Sequence, residues 1–418
     1  TEHFADFEAK AIHLGPKPKT SFSNQLKVLI LDLYVAWLDD PTLSIGLPMS
    51  PNGWDSNSRY NALHLSKKII ELVKRRHEHD LLDLATGSYG GPYAPTNRTT
   101  RIRASTRLQE IFAGVKLCEN DIEHNRNQEC IVLKGSDDPE APGQLINYEE
   151  TPETTRLRSA LQRYNLLLQR SFVDIPTLEL PRIETKLPDS SATLDLPISI
   201  GSSRKFVRRI FSRGSWNLNG RYYGGWWQQV GKEWRSRIFI NDEPTVEVDF
   251  KGMHVAILGI EAGAPLIDDP YELPLNTIAE FPAELQRKVV KKLLLTAINA
   301  KDYKSAFASC RESFPTGHAA KQLTNDQLSK VLNAFVTKHP QLEPYVCADQ
   351  GIRLMNIDSR IAQSVIDKLT NASCPVLCVH DSLIVPYSKI RVARGLMRVA
   401  SVEVLGKPLL TETSGRGL

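Results

Sequence analysis

Apolar residues along this chain recur with two periods, and those periods mark out its elements. Residues 24–38 are dense in Leu, Val and Ile and predict a mostly buried helix. Ser66 predicts the cap of a second helix, Lys67 to about His77, with Ile69, Ile70, Leu72 and Val73 facing inward. Leu81–Leu84 and Thr99–Ser105 predict strands on either side of a glycine-rich turn at Gly87 to Gly91. A further helix is expected from Thr154 to Arg170. Thr245-Val-Glu-Val-Asp249 alternates and is β-branched, so it predicts a strand. Met253 to Ala262 has helical apolar density that Gly263 can end. Ala283 to Asn299 predicts another helix, and 376–380 with 383–387 predict a hairpin.

Composition narrows the class. At 418 residues the chain is long enough for two or three domains. Its 41% hydrophobic and 24% charged content are those of an ordinary globular protein, and a net charge of +4 leaves partner choice to local patches. No apolar run approaches the ~18–20 residues of a membrane span. A polar N-terminus and six scattered cysteines point to a reducing, cytoplasmic setting with no membrane partner. Cys374, Cys378 and His380 share strand parity, but they read as small core residues rather than metal ligands. Residues 119–155 are acidic and irregular, with 135–143 as a loop. Pro176, Pro181, Pro188 and Pro197 then punctuate an expected connector.

The candidate chemistry lies in the second half. Asp249 and Asp381, 132 residues apart, are both expected at strand ends. If those ends adjoin, their repulsion calls for divalent cations, the arrangement that two-metal phosphoryl transfer uses. Mg²⁺ is the expected ion, completed by triphosphate and water, with Mn²⁺ able to stand in its place. The helix from Ala283 carries Arg287, Lys288, Lys291 and Lys292 within six residues, a charge density that an anion would relieve. Arg204 to Arg237 holds nine Lys/Arg against one acid and interleaves four tryptophans, as a nucleic-acid groove does; a Trp/Tyr core beneath a basic surface is the other reading. From 66 to 107 there are nine Lys/Arg against four Asp/Glu, and Arg101 and Arg103 alternate with Ile102, so both can point outward to phosphates.

Helix, helix, strand, loop, strand over residues 24–105 resembles a winged helix, a module that binds DNA or serves as a protein scaffold. Farther on, Asn217-Leu-Asn-Gly-Arg-Tyr-Tyr223, Asp249 with its following helix, Arg287-xxx-Lys291-Lys-xxx-Thr296 and His380-Asp-Ser382 stand in the order seen in single-subunit, phage-type RNA polymerases. Their palm-and-fingers plan is shared with family A DNA polymerases. The resemblance covers roughly 204–390. It implies an α+β chain in three parts: 1–120, a winged-helix-like DNA-binding domain; 121–200, an acidic loop, helix and connector; 201–418, a compact palm with an antiparallel sheet and helical fingers.

The resemblance also implies roles. Asp249 and Asp381 would be catalytic and hold two Mg²⁺ ions, with the Phe250 carbonyl assisting and His380 and Ser382 in support. Arg287 and Lys291, flanked by Lys288 and Lys292, would bind the incoming nucleoside triphosphate. Arg221 and Tyr222, with Arg213 nearby, would touch the DNA template or nascent duplex, and Arg101 and Arg103 the DNA outside it. Two positions depart from the family. Asn299 stands where an aromatic usually seats the nucleotide. His254 stands where DNA polymerases place a glutamate that excludes the ribose 2′-hydroxyl, which leans toward ribonucleotides. The expected function is therefore template-directed nucleotidyl transfer with RNA polymerase or primase character, serving a mobile element or phage alongside replication proteins. A family A-like DNA polymerase is the first alternative, and a DNA-binding initiator or regulator with a vestigial palm the second.

Overall fold

The computed structural model describes residues 20–90, 97–118, 121–122, 128–135, 143–180, 182–186, 193–198, 202–264, 269–279 and 281–414. The N-terminus, Gly91, Pro181, Pro188 and the interior of the 135–143 loop lie outside them. The described residues are 48% helical and 17% strand. Among the described strands every pairing is antiparallel except one, so the class is α+β.

The first elements are α1 (Thr20–Asp39), β1 (Ile45–Gly46), α2 (Lys68–Glu78), β2 (Leu82–Ala85), β3 (Arg101–Ala104) and α3 (Thr106–Ala113). Their three strands form a small sheet in the order β1-β3-β2. Leu29, Leu33, Val73, Ile102, Leu108 and Phe112 bury one hydrophobic cluster there. Ser105 caps α3 by accepting from the Leu108 N–H, which stops β3 and starts the helix.

A second, larger cluster gathers the remainder. Its elements begin with β4 (Ile131–Leu133), α4 (Pro152–Arg170), β5 (Val173–Asp174) and the hairpin β6 (Arg182–Lys186)–β7 (Thr193–Pro197). Thr151 and Thr154 close a capping box with Pro152 in the first turn, so α4 starts two residues before the expected Thr154. Leu157, Leu161, Tyr164 and Leu168 of α4 enter the large core, and β4 makes the one parallel pairing among the described strands, to Arg209–Phe211 farther along the chain. Within the 121–200 stretch, β4 and α4 therefore contribute apolar side chains to the large core.

Next come β8 (Arg208–Ser212), β9 (Ser215–Tyr223), α5 (Lys232–Arg235), β10 (Phe239–Ile240), β11 (Glu243–Phe250), α6 (Met253–Glu261), α7 (Ala283–Asn299), α8 (Tyr303–Glu312), α9 (Asn325–Lys338), α10 (Gly351–Asn371), β12 (Leu377–Val379), β13 (Ser382–Pro386), α11 (Ile390–Leu405) and β14 (Thr411–Ser414). The central sheet runs β12-β13-β11-β10-β5, with β14 on the other side of the distal half of β11. β11 is therefore the middle strand, bonded to β13 over Thr245–Val248 and to β14 over Glu247–Phe250. α10 packs across β9, where Asn356 Nδ2 donates to the Trp216 and Asn219 carbonyls at 3.1 and 3.0 Å. Gly220 is the extra residue of a bulge between β8 and β9, at φ +92°. A Cβ there would stand 2.8 Å from the Phe211 ring and 2.9 Å from Ser359 Oγ, so only glycine lets α10 lie this close.

Among the described residues, no helix is long and apolar enough to cross a membrane. Cys374 and Cys378 are buried in the large core.

Candidate active site

The central sheet brings Asp249 and Asp381 together. β12 and β13 join through a two-residue turn, His380-Asp381, because Val379 pairs with Ser382. One step past the Val248–Leu383 pair, the register sets Asp249 opposite Ser382, next to that turn. His380 takes φ +57°, a conformation rare for a residue with a side chain and one that recurs where function constrains the backbone. Burial, and then the charge of Asp381, push the Asp249 carboxyl up to about 7, while the Phe250 N–H, donating to Asp249 Oδ1 at 2.8 Å, pulls the other way.

Neither aspartate enters a salt bridge among the described residues, nor does the exposed Glu412, opposite Asp249 on β14, whereas Asp358, Glu247 and Asp269 are paired. Glu247, two residues before Asp249, is held by Arg235 through two contacts at 3.1 Å and by Ser382 Oγ at 2.6 Å. Ser382 thus locks the hairpin to β11. Asp358 of α10, fully buried, binds Arg221 and accepts from His254 Nε2 at 3.0 Å. Asp269 binds Arg287 at 2.5 Å. What remains is a pair of uncompensated carboxylates with hard oxygen donors, which suits Mg²⁺. No cluster of three or more His, Cys, Asp or Glu side chains able to hold a metal exists among the described residues, so substrate oxygens and water would have to complete the shell.

The linkage has a definite sign. Asp249 ionises near 3.8 in the unfolded chain and near 7 when folded. Between those values the folded protein holds the extra proton, so the stability this group allows is full below about 4 and falls as pH rises to about 7. In chelator at pH 8, the Asp249→Asn chain is expected to melt a few degrees above wild type, from roughly 1–3 kcal/mol after discounting partial exposure. The difference should vanish near pH 4. Equal melting curves at pH 8 would show that the carboxylates do not repel.

α7 forms over the residues expected, and Tyr271, which no sequence signal had singled out, links its basic face to the pair: Arg287 and Lys291 share its ring, and its hydroxyl feels the charge of Asp381. Tyr271 is 4% exposed, and burial pushes its phenol up to about 12, with Asp269 and Asp381 adding to the shift. Arg287 and Lys291 lie 5.8 and 5.7 Å from its ring centre. Lys288 is exposed, with no ion pair among the described residues. Lys292 faces elsewhere: it donates to the Ser313 carbonyl and sits 4.5 Å from the Phe314 ring centre, so its ammonium secures α8 instead of a phosphate. Asn299 Nδ2 donates to the Leu295 carbonyl, and its Oδ1 lies where a Cβ on Gly351 would be, so it fastens α7 to the start of α10.

On β9, strand parity corrects one expectation. Tyr222 is 3% exposed and packs edge-on against Tyr164, so it offers no face to a base. Arg221 and Tyr223 share the opposite face. Arg221 reaches Asp358 and lies near Asp381, and Tyr223 meets the His380 ring at 5.7 Å. Burial, then the charge of Arg221, lower the pKa of His380. His254 is turned to Asp358 and Arg221. Arg213 binds Asp349 at 2.7 and 3.2 Å. In the N-terminal sheet Arg101 and Arg103 are exposed around the fully buried Ile102, and Arg103 pairs with Asp83 across the strands at 2.8 Å.

No family model and no curated protein matches the chain. Among solved structures, the POL domain of Pol1 from M. smegmatis, in complex with DNA primer-template and dNTP, is similar with a TM-score of 0.27 and 13% identity. The match covers 41% of this chain and 39% of that one, so the chain spans well under half the length of that protein, and a likeness at this level assigns neither family nor activity.

Proposed function

We propose that this protein is a template-directed, metal-dependent nucleotidyltransferase, a nucleic-acid polymerase of RNA polymerase or primase character. The observation that carries the reading is the pair Asp249 and Asp381, free of salt bridges where Glu247, Asp358 and Asp269 are neutralised, with the Arg287/Lys291 face reaching toward it through Tyr271. Asp249 and Asp381 would hold Mg²⁺, with the Phe250 carbonyl assisting. Bound there, the ions would supply charge stabilisation at the attacking hydroxyl and the leaving pyrophosphate. Arg287 and Lys291 bind and orient the triphosphate as charge-assisted donors. Tyr271 carries that pair on its ring and keeps water from the space beneath it. Arg221 and Tyr223 lie along the path of a nascent duplex. The absence of a glutamate at position 254 favours ribonucleotides.

The N-terminal unit is read as a winged helix that contacts DNA. The sheet order β1-β3-β2, a separate buried cluster and the exposed Arg101 support that reading. Replacing Arg101 and Arg103 with alanine is expected to weaken DNA binding and to lower the slope of log K against log salt by about 2. An unchanged slope, measured by fluorescence anisotropy, would place DNA elsewhere. Service in replication of a mobile element or phage, with replication proteins as partners, belongs to the same proposal.

The deciding assay offers single-stranded DNA, Mg²⁺ and either rNTPs or dNTPs, with and without primer. Unprimed product from rNTPs supports the primase or RNA polymerase reading. Primed product from dNTPs alone makes it a DNA polymerase. No product with either, alongside intact DNA binding, would leave a DNA-binding protein with a vestigial palm.

A further inference from the structure

Asp358 sits at 0% exposure in the middle of the apolar stripe of α10, between Leu354 and Ile361. Burying a carboxylate there is costly unless it is paired. The pairing is dense. Arg221 Nε lies 3.1 and 3.0 Å from the two carboxylate oxygens, Arg221 Nη2 contacts Oδ2, and His254 Nε2 is 3.0 Å from the same oxygen.

Arg221 is also close enough to Asp381 and His380 for its charge to be felt at both. On the same face of β9, Tyr223 meets the His380 ring at 5.7 Å, so Arg221 stands on the side of the strand that faces the Asp381 turn, and a forked arginine–carboxylate contact is among the strongest a side chain can make. Were it free, it would neutralise the acids that a cation is needed to neutralise. The other arginine beside the site, Arg235, is likewise tied up, by Glu247.

We infer that Asp358 is a positioning residue whose task is to hold Arg221 off Asp381, so that a divalent cation and not the guanidinium neutralises the aspartate pair. The inference rests on the metal-dependent reading of the pair. It adds a residue that touches neither metal nor nucleotide yet sets how tightly the metal binds. Asp358 cancels the charge of Arg221, so the negative potential of the aspartate pair reaches an incoming cation undiminished. His254, bonded to the same carboxylate, keeps the assembly from rotating.

The test is Mn²⁺ binding without nucleotide, followed by electron paramagnetic resonance of the free ion. Asp358→Asn is expected to weaken Mn²⁺ binding at least about fivefold, because the released guanidinium competes for the acids. The double variant Arg221→Gln/Asp358→Asn, which restores local neutrality, is expected to return binding to within about twofold of wild type. An Asp358→Asn chain that binds Mn²⁺ like wild type overturns the inference, as does a double variant that stays weak, since Asp358 would then be a ligand or a scaffold. Should the single variant fail to fold, Arg221→Gln decides: binding at least as tight as wild type supports the inference, and weaker binding overturns it. Wild-type protein that binds no Mn²⁺ even when a nucleoside triphosphate is added overturns the functional reading and this inference with it. Wild-type binding with an unaffected Asp358→Asn chain overturns this inference alone.

Discussion

Asp249→Asn and Asp381→Asn are each expected to lower nucleotide incorporation by about 10³-fold or more, while both chains stay folded. The size follows from what is removed. A two-carboxylate site has no spare ligand, and no cluster of three or more His, Cys, Asp or Glu side chains able to hold a metal exists among the described residues. The fold should persist because the exchange is isosteric and relieves repulsion; in the Asp249→Asn chain the amide oxygen could still accept from the Phe250 N–H, as the Asp249 carboxylate does at 2.8 Å. A generic loss of structure would instead lower the melting temperature and affect other readouts equally. The informative pattern is lost activity, unchanged or raised stability at pH 8 in chelator, and no stabilisation by added Mg²⁺. Extension that survives either substitution within tenfold would remove the aspartates from the chemistry.

Arg287→Ala and Lys291→Ala are each expected to raise the KM for nucleotide about 10–100-fold, the cost of losing one charge-assisted contact to phosphate. Both side chains are exposed and share the ring of Tyr271, so they can swing to an anion without unpacking the core. Arg287 must first leave Asp269, its partner at 2.5 Å. Asp269→Asn should therefore lower KM modestly, a change no purely structural role of Arg287 would produce. Lys292→Ala is the control. Its ammonium donates to the Ser313 carbonyl, so it should lower stability and leave KM nearly unchanged. If Lys292→Ala raised KM as much as Lys291→Ala, the proposed phosphate face of α7 would be wrong.

Local elements were legible because their causes are local. α7 occupies Ala283–Asn299 as its periodicity implies, and β11 and the β12–β13 hairpin fall within two residues of their expected ends. Alternation around Ile102 placed Arg101 and Arg103 outward. The same rule, applied from Arg221, would have chosen Tyr223 over Tyr222. A charge inside the apolar stripe of α10 could have flagged Asp358. Tyr271 carried no such signal, since it lies between elements and owes its place to α7 packing over it.

By itself, then, the sequence determined which residues could carry the chemistry: two strand-end aspartates, a basic helical face and an outward arginine pair, each set by spacing along one element. The tertiary structure alone decided which of those groups meet and which charges remain free. β11 lies between β13 and β14, α10 delivers Asp358 to Arg221, and Lys292 is turned to Ser313. Those outcomes depend on how distant elements pack to bury apolar surface, and on which acid an arginine reaches first once water is excluded. Neither is encoded in the period of any single segment.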